Sequence, residues 1–233
     1  MFPRVFYITG LGWYHLLVFG ALMLRLAWAS RARIADDSRP LPTRLRHYQS
    51  QAVMLAAFAA FSLVTAQSHR LDLLPPVAPS WIQIAAAIAV YLAAVVAMRP
   101  RWQRAVAERK RLTQLLMPST TGERLWWVVV SLLAGVGEEI TWRGMQFALL
   151  TQLTGQVWLG AVLSALMFGF GHIVQGWRSA AIIVGFALVF QGLTAWTGSL
   201  YVAMLVHTAY DITAGFTYAR LGREQAEAES VAR

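Results

Sequence analysis

From Leu125 to Leu150 the chain reads LWWVVVSLLAGVGEEITWRGMQFALL. The run exceeds the ~20 apolar residues with which a helix crosses a bilayer. Yet it holds Glu138, Glu139 and Arg143. A charge near the bilayer centre costs at least ~2.5–3.5 kcal/mol on insertion scales. Groups placed there must face a protein interior or a water-filled cavity, and they mark function by default. One stretch therefore reads both as a membrane span and as part of a site.

The remainder of the chain supports the membrane reading. Of 233 residues, 58% are hydrophobic and only 13% are charged, where a soluble domain carries about 25%. The apolar residues fall into about seven segments: Val5–Ala29, Gln51–Ala66, Pro79–Met98, Leu125–Leu150, Val157–Val174, Ala180–Ala195 and Leu200–Ala219. The pattern predicts an all-α, polytopic transmembrane helix bundle of about seven spans, with residues 1–233 forming a single integral membrane domain. The second and sixth segments are short for the task. The first is longer than the ~7–15-residue core of a signal peptide, so it is expected as a retained helix. The polar stretch from Arg220 to Arg233 reads as a frayed end.

The net charge is +9. In a soluble protein that would raise nucleic acid as a partner. Here the charge sits in connectors between apolar spans, chiefly Arg31–Arg46 and Arg99–Arg124. Juxtamembrane positions explain it, so the expected partner is the lipid bilayer and not a nucleic acid. With seven alternating spans, all rich segments fall on one side, which the positive-inside rule makes cytoplasmic. The N-terminus is then outside and the C-terminus inside. Arg101–Met117 reads either as a basic connector or as a surface helix with Trp102, Val106, Leu112 and Leu116 on one face. Trp126 and Trp127 suit an interfacial aromatic belt. The chain has no cysteine, which excludes disulfides, thiolate metal sites and cysteine nucleophiles.

Further ionisable groups lie in later spans: His172 in the fifth, His207 and Asp211 in the seventh. Glu139 and Arg143 are i,i+4 and can pair along one helix face. Glu138 is turned about 100° from Glu139 and can point toward the other polar groups. His207 and Asp211 also share a face, and Phe168 lies one turn before His172. A carboxylate and imidazoles in a protein-lined cavity can hydrolyse a peptide bond. One group takes a proton from water and another stabilises the tetrahedral oxyanion. The same set, Glu138, His172 and His207, could instead hold a divalent metal such as zinc. His15 in the first span reads as an interhelical hydrogen-bonder. Gly135, Gly137, Gly144, Gly160, Ser164 and Gly169 read as close helix packing.

Three motifs then stand out. Glu138-Glu139-Ile140-Thr141-Trp142-Arg143 is EExxxR, Phe168-Gly169-Phe170-Gly171-His172 is FxxxH, and His207-Thr208-Ala209-Tyr210-Asp211 is HxxxN with Asp in the last place. In this order, each in its own apolar span, they resemble the CPBP family of CAAX proteases and bacteriocin-processing membrane proteins. The resemblance covers about Leu125 to Ala219 and marks residues 125–219 as a catalytic core. It implies an all-helical intramembrane endopeptidase in the bacterial inner (plasma) membrane. It assigns water activation to Glu138 and His172, the oxyanion to His207 and Asp211, and a bracing role to Glu139 and Arg143. Metal-dependent and metal-free glutamate mechanisms both remain open. So does the substrate: a membrane-associated protein or peptide with a prenylated C-terminus, a leader, or a C-terminal sorting signal. Asp211 departs from the motif, because Asn donates a hydrogen bond and an ionised Asp cannot.

Two other functions use the same residues. Intramembrane Glu, His and Asp also serve proton relays in transporters, for which inverted repeats would speak, and none is evident. A catalytically silent membrane scaffold would keep the fold and tolerate Asp211.

Overall fold

The computed structural model describes residues 6–36 and 38–231. Among these residues there are eight helices and no strand: α1 Gly10–Ala35, α2 Arg44–Ser68, α3 Trp81–Ala107, α4 Arg111–Leu115, α5 Thr121–Thr154, α6 Val157–Gly171, α7 Trp177–Thr197 and α8 Tyr201–Val231. The helical membrane bundle read from the apolar segments is what the chain forms. Five helices (α1, α2, α3, α5 and α7) are long and apolar enough to cross a membrane. The helix α6 is apolar but shorter, and α8 is a continuous helix of 31 residues whose apolar run is broken by His207 and Asp211.

Helix boundaries follow local chemistry. Thr9 caps α1 and Thr43 caps α2, each by accepting from a first-turn N–H. Ser80 with Gln83 and Thr120 with Glu123 form capping boxes that start α3 and α5, satisfying two otherwise unpaired donors each. Gly155 and Gly198 end α5 and α7 at φ of 67° and 69°, a left-handed turn that suits glycine.

Several helices outrun their apolar cores. The two segments read as short are helices of 25 and 21 residues, since Arg, Gln and Ser extend a helix beyond the apolar run. The short one is α6, of 15 residues, followed by a 3₁₀ turn at Ile173–Gln175. The C-terminal stretch is not frayed: α8 runs to Val231. Arg220 pairs with Glu224 at 3.5 Å, and Arg109 pairs with Glu229. Val5, where the first segment was drawn to start, and the last two residues lie outside the described residues.

The stretch Arg101–Met117 is not one surface helix. It comprises the end of α3, a turn, and α4. Its apolar face packs inward: Trp102 is 2% exposed and lies against Tyr210 and Tyr218 of α8.

The bundle is organised around α5. Of its most apolar window 56% is buried, against 11% for α3, so α5 is central and α3 peripheral. α5 packs mainly on α2 and α8, and its second half on α6. Contacts at the ends show the alternation. At one end Arg111 Nε donates to Ile34 O at 3.0 Å, and Arg44 Nε donates to Gln114 O at 2.6 Å. At the other, Gln83 Nε2 donates to Trp196 O and the Tyr201 hydroxyl to Leu74 O, both at 3.0 Å.

Candidate active site

Midway along α5 the backbone ladder widens. Residues Glu139–Gln146 are π-helical, between α-helical segments Thr121–Glu138 and Phe147–Thr154. Such widenings cluster at functional sites because the extra residue re-aims side chains. Here it begins at the paired glutamates. Nothing in the local sequence announces it.

Both glutamates reach one imidazole. Glu139 Oε1 accepts a hydrogen bond from His207 Nδ1 at 2.8 Å. On the opposite side of the ring, His207 Nε2 lies 3.7 Å from Glu138 Oε2 and 3.6 Å from Asp211 Oδ2. The expected i,i+4 proximity of His207 and Asp211 is therefore present. Glu138 reaches toward the other polar groups, and so does Glu139. They converge on His207 from its two nitrogens, an arrangement that spacing along one helix could not show.

Behind this centre lies Arg143. Its Nη1 is 3.4 Å from Glu139 Oε1, and both side chains are buried. The guanidinium stacks over Phe168 at 4.1 Å and stands 5.7 Å from the Phe190 ring. A desolvated cation over an aromatic face gains about 2 kcal/mol or more. The expected Glu139–Arg143 pair is in place, and it also anchors the carboxylate that holds His207. Phe168 packs edge-on to His172 at 4.6 Å, so it touches both motif partners.

His172 caps the C-terminal end of α6. Its Nδ1–H donates to Phe168 O at 2.9 Å, so Nε2 is the ring nitrogen left for other partners. The ring lines the same cavity as Glu138, His207 and Asp211.

Trp127 belongs to the site, not to an interfacial belt. It is 8% exposed, packs against Tyr48, and donates from Nε1 to the Asp211 carbonyl at 3.0 Å. A tryptophan next to another at a helix start carries no sign of this role. The approach of α8 needs glycine: a Cβ at Gly135 would fall 2.8 Å from Thr208 N and 2.9 Å from Met204 O.

The four polar side chains share a cavity of about 1060 Å³. Its lining continues to exposed Arg31, Arg101, Arg104 and Arg178, at the end where the basic connectors gather. Its walls include Phe186, Phe190 and Ile183. The cavity thus reaches the basic end of the bundle.

As a metal centre the arrangement fits poorly. Among the described residues no group of three or more His, Asp or Glu is placed to hold a metal ion. Glu138, His172 and His207 are not gathered into such a group, although the Nδ1 bonds to Glu139 and to a backbone carbonyl leave the Nε2 atom of each imidazole available.

Residues 120–213 match the family model described as type II CAAX prenyl endopeptidase Rce1-like. The match contains all three motifs. No curated protein and no solved structure matches the chain.

Proposed function

We propose, from the match of residues 120–213 to the model of Rce1-like type II CAAX prenyl endopeptidases, that the chain is an intramembrane endopeptidase of that kind. It hydrolyses a peptide bond in a membrane-associated protein or peptide, and residues 125–219 form its catalytic core. The observation that carries this reading is the convergence of Glu138, His207 and Asp211, with His172, on one cavity that reaches the basic end of the bundle.

The residues divide the chemistry as follows. Glu138 takes a proton from water as the water oxygen attacks the scissile carbonyl carbon, and passes it to the leaving nitrogen as the C–N bond breaks. His172 assists through Nε2, its ring fixed by the bond to Phe168 O. Doubly protonated His207 donates Nε2–H to the oxyanion while Nδ1–H stays on Glu139. Asp211 faces the same ring nitrogen and borders the oxyanion. Glu139, Arg143 and Phe168 touch no reacting atom and position those that do. The positive-inside rule makes the basic end cytoplasmic, so substrate enters from that side of a bacterial inner membrane.

Purified protein in proteoliposomes with a prenylated peptide tests the reading. Glu138→Gln keeps the shape of the side chain but cannot accept the proton. Turnover should fall by about 10²–10⁴-fold with the fold intact. A fully active Gln variant would remove Glu138 from the mechanism. Transport of a solute without any cleavage would favour a proton-coupled carrier.

A further inference from the structure

We propose that His15, Ser62, Thr141 and Gln146 form a register lock that holds the middle of α5 in its π form and so aims Glu138 and Glu139 at His207. The consequence for turnover rests on the protease reading; the consequence for structure does not.

All four side chains are fully buried, and none lines the cavity. They are therefore not substrate-binding groups. His15 Nδ1–H donates to Gln146 Oε1 at 3.0 Å. His15 Nε2 and Ser62 Oγ are bonded at 3.0 Å, and Ser62 Oγ is bonded to Thr141 Oγ1 at 3.0 Å. Gln146 Nε2 reaches Met167 Sδ on α6 at 3.4 Å. The chain thus runs from α5 to α1, to α2 and back to α5. Phe19, Phe61 and Trp142 wall it off. A buried polar group left unpaired costs about 1–3 kcal/mol, so a connected set of four is a specifying feature rather than filler.

Its two contacts with α5 are five residues apart, at Thr141 and Gln146, within the π-helical segment. In an α-helix such residues point about 140° apart. In a π-helix residue i bonds residue i+5, so the two stand on one side, one above the other. His15 and Ser62, bonded to each other on adjacent helices, reach both only in the second arrangement. Closing the ladder to an α-helix would turn the part of α5 before the segment against the part after it, by about 100° for each residue displaced. Glu139 and Arg143, which an α-helix also lets pair at i,i+4, would then turn relative to His207 on α8.

The test uses the full-length protein in proteoliposomes, with Thr141→Val and Gln146→Met made singly and together. Each single variant should lower kcat by about tenfold with KM changed less than about twofold. The double variant should fall no further than the worse single, because both break one network. Thr141→Ser, which keeps the hydroxyl, should restore turnover. With ¹⁵N-labelled histidine, the His207 ring resonances should shift in Thr141→Val and Gln146→Met. They should not shift in Ser131→Ala, whose buried hydroxyl on α5 has no hydrogen-bond partner. If Gln146→Met does not accumulate, Thr141→Val paired with Ser62→Ala carries the same comparison. Unmoved His207 resonances, or losses that add in the double variant, overturn the lock. If the wild-type protein cleaves nothing, the protease reading fails, and the His207 resonances still decide the lock.

Discussion

Glu139 is the residue on which the cluster around His207 turns. Its Oε1 accepts from His207 at 2.8 Å and pairs with Arg143 at 3.4 Å, and its side chain is fully buried. Removing one partner of a buried ion pair costs about 3–5 kcal/mol, because the other charge is left uncompensated. Glu139→Gln should therefore lower both the midpoint of thermal unfolding and kcat, since the amide oxygen can still accept but Arg143 and His207 lose the negative charge they share. A variant with wild-type unfolding and turnover would show that the pair carries nothing. Asp211 poses the complementary question. It stands 3.6 Å from His207 Nε2 and lines the cavity, at the motif position where the family pattern has Asn. If its part is to donate toward the oxyanion, Asp211→Asn supplies the donor permanently, and kcat should stay within about tenfold of wild type. A folded but inactive Asn variant, measured by single-turnover cleavage, would show that the charge of Asp211 is required.

Among the elements, α5 and α8 form the pair that builds the site, and their approach is set by Gly135. Any Cβ there meets the α8 backbone at Thr208 and Met204, and backbone cannot turn aside as a side chain can. Gly135→Ala should destabilise by about 1–3 kcal/mol, the usual cost of overpacking, and lower turnover by moving His207. Gly185→Ala on α7, with nothing within 4 Å of the added carbon, should be neutral or stabilising by about 0.5–1 kcal/mol. Thermal unfolding in detergent separates the two, and equal midpoints would count against close packing as the reason for Gly135. This contrast also shows what was legible in the sequence. Glu138, His172, His207 and Asp211 were visible because ionisable groups in apolar runs are costly and need a reason. Gly135 was visible as a small residue beside them. The π-helical segment was not, because its residues fit an α-helix equally well and the widening is imposed by partners on α1 and α2. Trp127 was misread for a related reason: tryptophan near a span's end suits a lipid interface, and only the position of α8 turns it inward.

At the scale of the whole molecule, the cavity opens where the basic connectors lie. Arg31, Arg101, Arg104 and Arg178 line it, and the ends of α1 and α2 meet α4 there through Arg111 and Arg44. The opposite end is held by uncharged contacts such as Gln83 to Trp196 and Tyr201 to Leu74. Charge asymmetry of this kind orients a membrane protein with the basic end in the cytoplasm. The orientation matters for function, since it decides from which compartment a substrate reaches Glu138. It is testable because the chain has no cysteine, so one introduced thiol gives the only signal. Ser38, exposed in the α1–α2 connector, and Gln156, exposed in the α5–α6 turn, lie at opposite ends. In sealed right-side-out vesicles, a membrane-impermeant maleimide should label Gln156→Cys and leave Ser38→Cys unmodified until the membrane is permeabilised. Labelling of both before permeabilisation would place the two connectors on one side, which an odd number of crossings between them forbids. Labelling of Ser38→Cys alone would invert the orientation, keep the bundle intact, and bring substrate to the cavity from outside the cell.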